Sequence, residues 1–423
     1  MCTVVRVSTS QIPQPSVRVK RARLAVVALF FTNGALFANI LPRYPEIKDM
    51  FGLTNSVYGI TIAMFPVGAI LAALASGSLI RRFGSANVAA FGMIGTAVAF
   101  FLAGSSPNVV LFGITLLIAG GVDAISDVGQ NAHAMQVQKA YKRSIINSFH
   151  AIWSIGAVSG GAMSALAITI GLSLSVHLGI IAAVFSIVSL VARAHALPER
   201  DERSDEENVA DPQEIRTTLG AVSPKIVLML AALVLISVSG AVIEEVGNSW
   251  AALYLGDSLG ASAQIAAFGF IALVGGQFVG RILGDSQVDR RGNRRVALIG
   301  GLLTAIGMSL ALAFPTIPGT LAGFAAAGYG SATLIPSAFD RADKLPGLRE
   351  GTGIAIISWL SRIGYLASPP IIGYIADSAS LRMGLLILPA IGIVVMLSAG
   401  VLPGRETAVQ DGADAAESAQ ARL

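Results

Sequence analysis

Asp123, Asp127 and Asn131 recur at steps of four inside an apolar run at about 108–135. Read as a helix, that spacing puts all three side chains on one face. Ionisable groups are costly within an apolar span, so they are rare there and serve an ion or substrate path. The alternative is a polar seam that joins neighbouring helices. A carboxylate in such a setting can exchange a proton near neutral pH, which makes Asp127 the first candidate for a proton carrier. Asp123, one turn away, is either a second relay member or a packing group. Asn131 cannot titrate; it would bind substrate or orient Asp127.

A short basic turn (Lys139, Lys142, Arg143) leads to a second polar pair, His150 and Trp153, early in the next apolar run. Histidine can titrate at physiological pH, and an indole can stack on a sugar ring or an apolar solute. The structural alternative is an interfacial Trp and a hydrogen-bonded His. Glu244 and Glu245 are adjacent and so point to different helix faces, one toward a cavity and one toward a neighbour or outer water. Trp250 and Tyr254 read first as an aromatic belt at the membrane surface. Arg362 is the one basic group expected near mid-membrane, and a buried Arg needs a partner, here Glu244, Glu245, Asp123 or Asp127. If Arg362 faces a cavity, a sugar acid suits it better than a neutral sugar. Asn33 is a further substrate-site candidate, and His177 reads as structural.

The elements that must position these residues are membrane spans. Only 13% of the 423 residues are charged, 54% are hydrophobic, and the mean hydropathy is +0.71. A soluble chain would be about a quarter charged. Twelve apolar runs are expected to span, at about 22–42, 55–79, 86–104, 108–135, 146–170, 173–195, 224–255, 260–284, 296–314, 317–338, 351–376 and 381–402. The long seventh run is expected to tilt or to break near Gly247. An acidic stretch at 196–223 reads as a flexible linker between two six-helix bundles, 22–195 and 224–402, with tails at 1–21 and 403–423.

Of 29 Lys and Arg, Arg43, Lys48 and Arg382 fall on the other side and Arg362 within a span, which leaves 29 − 4 = 25 on one side. The positive-inside rule then places both termini in the cytoplasm. The first run is too long for a cleaved signal and is expected to stay as an anchor. The single cysteine, Cys2, excludes an intrachain disulfide.

The halves match each other. A shift of 208 residues lays Arg82 and Gly84 on Arg290 and Gly292, Gly120 on Gly328, and Ile155-Gly156 on Ile363-Gly364. Twelve spans in two such halves, with Gly77, Arg81, Arg82 and Gly84 after the second span, resemble the major facilitator superfamily, whose G-x-x-x-D-R-x-G-R-R loop is linked to gating. Arg81 stands where that loop has an acidic residue. The second-half copy, with Asp289, Arg290 and Gly292, is closer. Within that family, Asp127, Asn131, His150 and Glu244 with their neighbours, and Pro369-Pro370, resemble a bacterial branch related to fucose-permease-like sugar:proton symporters.

The resemblance implies an all-α membrane fold and a secondary active transporter of the bacterial cytoplasmic (inner) membrane. It would move a small polar solute such as a sugar or sugar derivative, coupled to protons through Asp127, Asp123 and Glu244. Asn131, His150, Trp153, Asn33, Arg362 and Glu245 would bind the solute. The expected partners are solute, protons and lipid, without nucleic acid, and the family implies a monomer. No cofactor or metal is expected, because no P-loop, Cys/His cluster or serine nucleophile elbow occurs, and enzyme activity is not expected. Two other readings stay open: a proton-coupled exporter, for which the glycine-rich Gly156–Gly161 segment is only a partial match, and a non-transporting sensor on the same fold.

Overall fold

The computed structural model describes residues 16–143, 145–198, 223–348 and 351–404. The expected linker over 199–222, the outer parts of both tails and Cys2 lie outside the described residues. Among these residues every regular element is a helix.

In the first half, α1 (Val17–Ile40) passes through a short 3-10 turn into α2 (Tyr44–Met50). The second span is split into α3 (Asn55–Ile62) and α4 (Met64–Phe83), then come α5 (Ser85–Gly104), α6 (Val109–Tyr141), α7 (Ile146–Thr169) and α8 (Leu174–His195). The second half runs α9 (Pro224–Leu253), a π-helical turn (Tyr254–Ser258), α10 (Ala263–Ala266), α11 (Phe268–Arg291), α12 (Asn293–Ala313), α13 (Ile317–Ser331), α14 (Leu334–Asp343), α15 (Thr352–Ser378), α16 (Leu381–Gly384) and α17 (Ile387–Ser398).

Among the described residues, ten stretches are long and apolar enough to cross a membrane. The remaining two expected spans are helical but less uniform. The tenth divides between Ser331 and Leu334, and the eleventh carries Arg362, Pro369 and Pro370 within its 27 residues. The expected break near Gly247 does not occur. That glycine lies inside the unbroken α9, close to Leu273, and irregularity begins only at Tyr254.

Local chemistry sets several helix starts. Thr54, Asn108 and Thr316 each accept a hydrogen bond from the backbone N–H three residues on, satisfying an otherwise orphan donor. Between α6 and α7, Gln138 Oε1 accepts from Ile145 N at 2.7 Å and Ile146 N at 2.9 Å, while Lys142 turns the chain in the left-handed region. One side chain thus ties the end of the Asp127 helix to the start of the Trp153 helix.

The internal duplication is visible in the tightest contacts. Helices approach closely in membranes where one contributes glycine. A Cβ on Gly68 would lie 1.8 Å from Leu117 O, and one on Gly276 would lie 2.2 Å from Ala325 O. A Cβ on Gly120 would meet Phe65 O at 1.9 Å, and one on Gly328 would meet Leu273 O at 2.0 Å. Each member of these pairs, glycine and obstacle alike, is displaced by the same 208 residues. The fifth-span glycines have a similar use: Gly156 and Gly160 lie against Phe31 and Ala35 of α1.

Gly84 and Gly292, also 208 apart, close α4 and α11 with φ/ψ of 84°/153° and 79°/154°. Only glycine adopts that region readily, and other residues pay about 1–3 kcal/mol there. Gly84→Ala and Gly292→Ala are therefore each expected to lower stability by about that amount. Thermal unfolding of purified protein measures it, and unchanged melting would contradict the strain.

Candidate functional site

The polar residues of the spans gather where the two halves meet. In the first half, Trp153 Nε1 donates to Asn33 Oδ1 at 2.6 Å, and Asn33 Nδ2 donates to Asp123 Oδ1 at 3.0 Å. Three helices, α7, α1 and α6, thereby converge on one carboxylate. Asn33 is 6% exposed, so it acts as the buried bridge. One turn along α6, Asp127 Oδ1 accepts from Asn131 Nδ2 at 3.1 Å and more weakly from Gln130 at 3.4 Å. Asn131 also donates to the Asp127 carbonyl at 2.9 Å, so in this arrangement it orients Asp127. His150 is exposed and edge-on to Phe30, with ring centroids 5.3 Å apart.

The second half has its own carboxylate cluster. Glu244 Oε2 accepts from the Tyr365 hydroxyl at 3.2 Å and from Gln277 Nε2 at 3.4 Å. Glu245 points elsewhere, as adjacency requires, and accepts from Ser249 Oγ. All four carboxylates are half-buried, neither sealed in a core nor fully open.

Arg281 of α11 joins the clusters. Its Nη1 donates to Ser154 Oγ of α7 at 3.0 Å, and its guanidinium lies over the Trp153 ring at 5.8 Å from the centroid. Gln277, one helical turn from Arg281 on the same helix, donates to Glu244, so α11 reaches both clusters.

Beyond this layer the halves are locked at the end carrying α2 and the π turn. The Tyr58 hydroxyl donates to Ser249 O at 2.5 Å, and its ring meets Trp250 edge-on at 5.0 Å. Lys48 pairs with Asp257 at 2.9 Å. Asp377, in the exposed last turn of α15, accepts from Asn55 N at 2.8 Å and Ser56 N at 2.7 Å, capping α3 from the other half. Gly59 and Gly373 let the same two helices touch, with Pro369 O and Asn55 O where their Cβ atoms would be.

At the opposite end, Arg82, Asp289 and Arg290 of the signature loops are exposed, and among the described residues none of them forms an ion pair. Arg82 instead lies over the Phe83 ring. Gly77 meets no steric demand beyond ordinary contact with Arg81, whereas Gly84 and Gly292 are required by their backbone.

The Major Facilitator Superfamily profile matches residues 26–286 and 246–422. The chain belongs to this superfamily. It is 29% identical over 377 residues to the uncharacterized transporter y4wD of Sinorhizobium fredii, across 89% of this chain and 97% of that protein. The D-xylose–proton symporter shares the fold with a TM-score of 0.67 at 18% identity, over 91% of this chain and 99% of the other. FucP, solved in its outward conformation, does so at 0.57 and 18%, over 89% and 97%. A superfamily transporter embedded in a bilayer and handling a small-molecule solute follows from membership and from the apolar helices.

Two expectations need correction within this superfamily fold. Trp250 and Tyr254 form no surface belt: they are 0% and 1% exposed, and Trp250 packs against Tyr58 at the seam between the halves. Arg362 has no hydrogen-bonded or ionic partner among the described residues, although four carboxylates were candidates; each candidate is served by other donors. Arg281, counted above among the 25 basic residues on one side, lies near the end of the apolar run at 260–284. The helix continues to Arg291, which puts Arg281 about 15 Å inside its end. The surrounding GGQFVGRILG segment, apolar on both sides of the arginine, was the available signal.

Proposed function

We propose that this chain is a proton-coupled secondary transporter of a small polar solute, a sugar or sugar derivative, working by alternating access between two bundles, 22–195 and 224–402. The observation that carries the proposal is the Trp153–Asn33–Asp123 chain with Asp127 one turn away, half-buried at the seam below a locked end. A carboxylate that alternates between a hydrogen-bonded anion and a neutral acid changes the cost of exposing this layer to either side. Protonation and solute occupancy can then bias which end opens.

In this reading Asp127 carries the proton, Asp123 relays it, and Glu244 is the second-half counterpart. Asn131, His150 and Trp153 face the solute, while Asn33 and Glu245 hold the site's shape. Gly77, Arg82, Gly84, Asp289, Arg290 and Gly292 form the turns that hinge the basic end. The positive-inside count sets that end, and both termini, in the cytoplasm. The protein works as a monomer in the inner membrane. The sugar assignment leans on the Asp127, His150 and Glu244 motifs and on the indole at the seam.

Asp127→Asn tests the coupling. In proteoliposomes the variant is expected to lose concentrative uptake of the accepted sugar while still exchanging it down its gradient. Accumulation equal to that of the unaltered protein would remove Asp127 from the proton path.

A further inference from the structure

We propose that Arg281 and Arg362 form the anion-holding part of the solute site, and that the solute is a polyhydroxy carboxylate, that is, a sugar acid. This deepens the transporter reading above and rests on it.

The argument begins with unspent donors. A guanidinium offers five N–H groups and is never neutral in a protein. Arg281 is half-buried and spends one donor on the neutral Ser154 hydroxyl. Arg362 is half-buried with none spent on the described residues. No ion pair among those residues involves either arginine.

The acids of the same layer are served by neutral groups instead. Tyr365 and Gln277 donate to Glu244, Ser249 to Glu245, and Asn33 to Asp123. Gln277 sits one helical turn from Arg281 on α11, so Glu244 is near Arg281 yet taken by other donors. A cation left in a low-dielectric layer with free donors is costly, and a planar carboxylate matches its fork with two parallel bonds.

Both arginines are turned to the seam between the halves, Arg281 by its contacts with Ser154 and Trp153. Arg362 and Pro369 are seven residues apart on α15 and share a face. Pro369 is where Gly59 of the first half makes contact, so that face is turned to the seam. Tyr365, three residues from Arg362, shares Glu244 with Gln277, which sits one turn from Arg281 on α11. Arg281 meanwhile lies over the Trp153 indole, whose ring provides the apolar surface a sugar C–H face stacks on. Cation and aromatic plate side by side select a ring or chain of hydroxyls ending in a carboxylate.

The test uses full-length purified protein with gluconate and glucuronate as probes and glucose as the neutral control. Binding is read by calorimetry in detergent and uptake in proteoliposomes. Saturable binding of at least one acid is expected, weakened about tenfold or more in Arg281→Gln and in Arg362→Gln and partly restored in Arg281→Lys. Melting temperatures of the variants check that they fold. Glucose bound and carried, with no loss in Arg281→Gln and no binding of either acid, overturns the anion site and leaves the transporter reading standing. Arginine-dependent binding of an acid without uptake upholds the site and overturns the transporter reading. Folded protein that neither binds nor carries any of the three overturns both.

Discussion

Gly276→Val is expected to prevent stable folding, whereas Gly275→Val, its immediate neighbour on α11, is expected to be tolerated. A Cβ at Gly276 would sit 2.2 Å from Ala325 O and 3.1 Å from Ala325 Cα, while one at Gly275 would meet nothing within 4 Å. Overpacking a core commonly costs about 1–3 kcal/mol, because side chains can shift away. Here the obstacle is the backbone of a facing helix, so relief requires moving α13 bodily. The cost should reach about 3 kcal/mol or more, enough to unfold a marginally stable chain. Gly68→Val should behave alike against Leu117 O. Melting temperature and the monodisperse fraction after purification give the readout. Equal melting of the Gly275 and Gly276 variants would refute the close-approach account.

Asp377→Ala should loosen the locked end and shift the chain toward an arrangement open there. The carboxylate holds two backbone N–H groups of the other half, and alanine leaves both to water. Spin labels at Met50 and Ser262, with Cys2 replaced, should report a longer distance population in the variant and a single short one without it. Identical distributions would show that Tyr58 and Lys48 alone keep this end shut.

The contact also has a defined pH window. Desolvation at the helix end pushes the Asp377 carboxyl up, but the donors of Ser56 and Asn55 outweigh it and hold it down at about 2. A carboxyl held below its ordinary value contributes while ionised. The contact is fully present above the ordinary value of 3.8 and is lost as pH falls through about 2. Any pH dependence of transport near neutrality therefore arises elsewhere, and Asp377→Ala should leave its midpoint unchanged.

Much of the scaffold was legible in the residue order, since apolar runs and a repeat of basic turns report spans directly. The split of the second span at Ala63 was not, because its residues are as apolar as those on either side. Asp123 and Asp127 stood out because carboxylates are rare in such runs. Their partner Asn33 could be flagged but not connected, being 90 positions from Asp123 and 120 from Trp153.

The locked end was invisible for the same reason. Tyr58 and Ser249 are 191 positions apart, and Asn55 and Asp377 are 322 apart. None of these residues is unusual by type in its own run. Trp250 was misread because hydropathy cannot tell a membrane surface from a seam between halves; both suit a large ring with one polar atom.

In a chain that alternates access as proposed above, the lock at Tyr58, Lys48 and Asp377 also makes affinity sided. A ligand arriving from the locked end must wait for a minor population, and its apparent dissociation constant is the intrinsic one divided by that population. A ligand arriving from the other end meets no such tax. The same protein, measured in vesicles of opposite orientation, would then yield two affinities for one solute, and loosening the lock would draw them together.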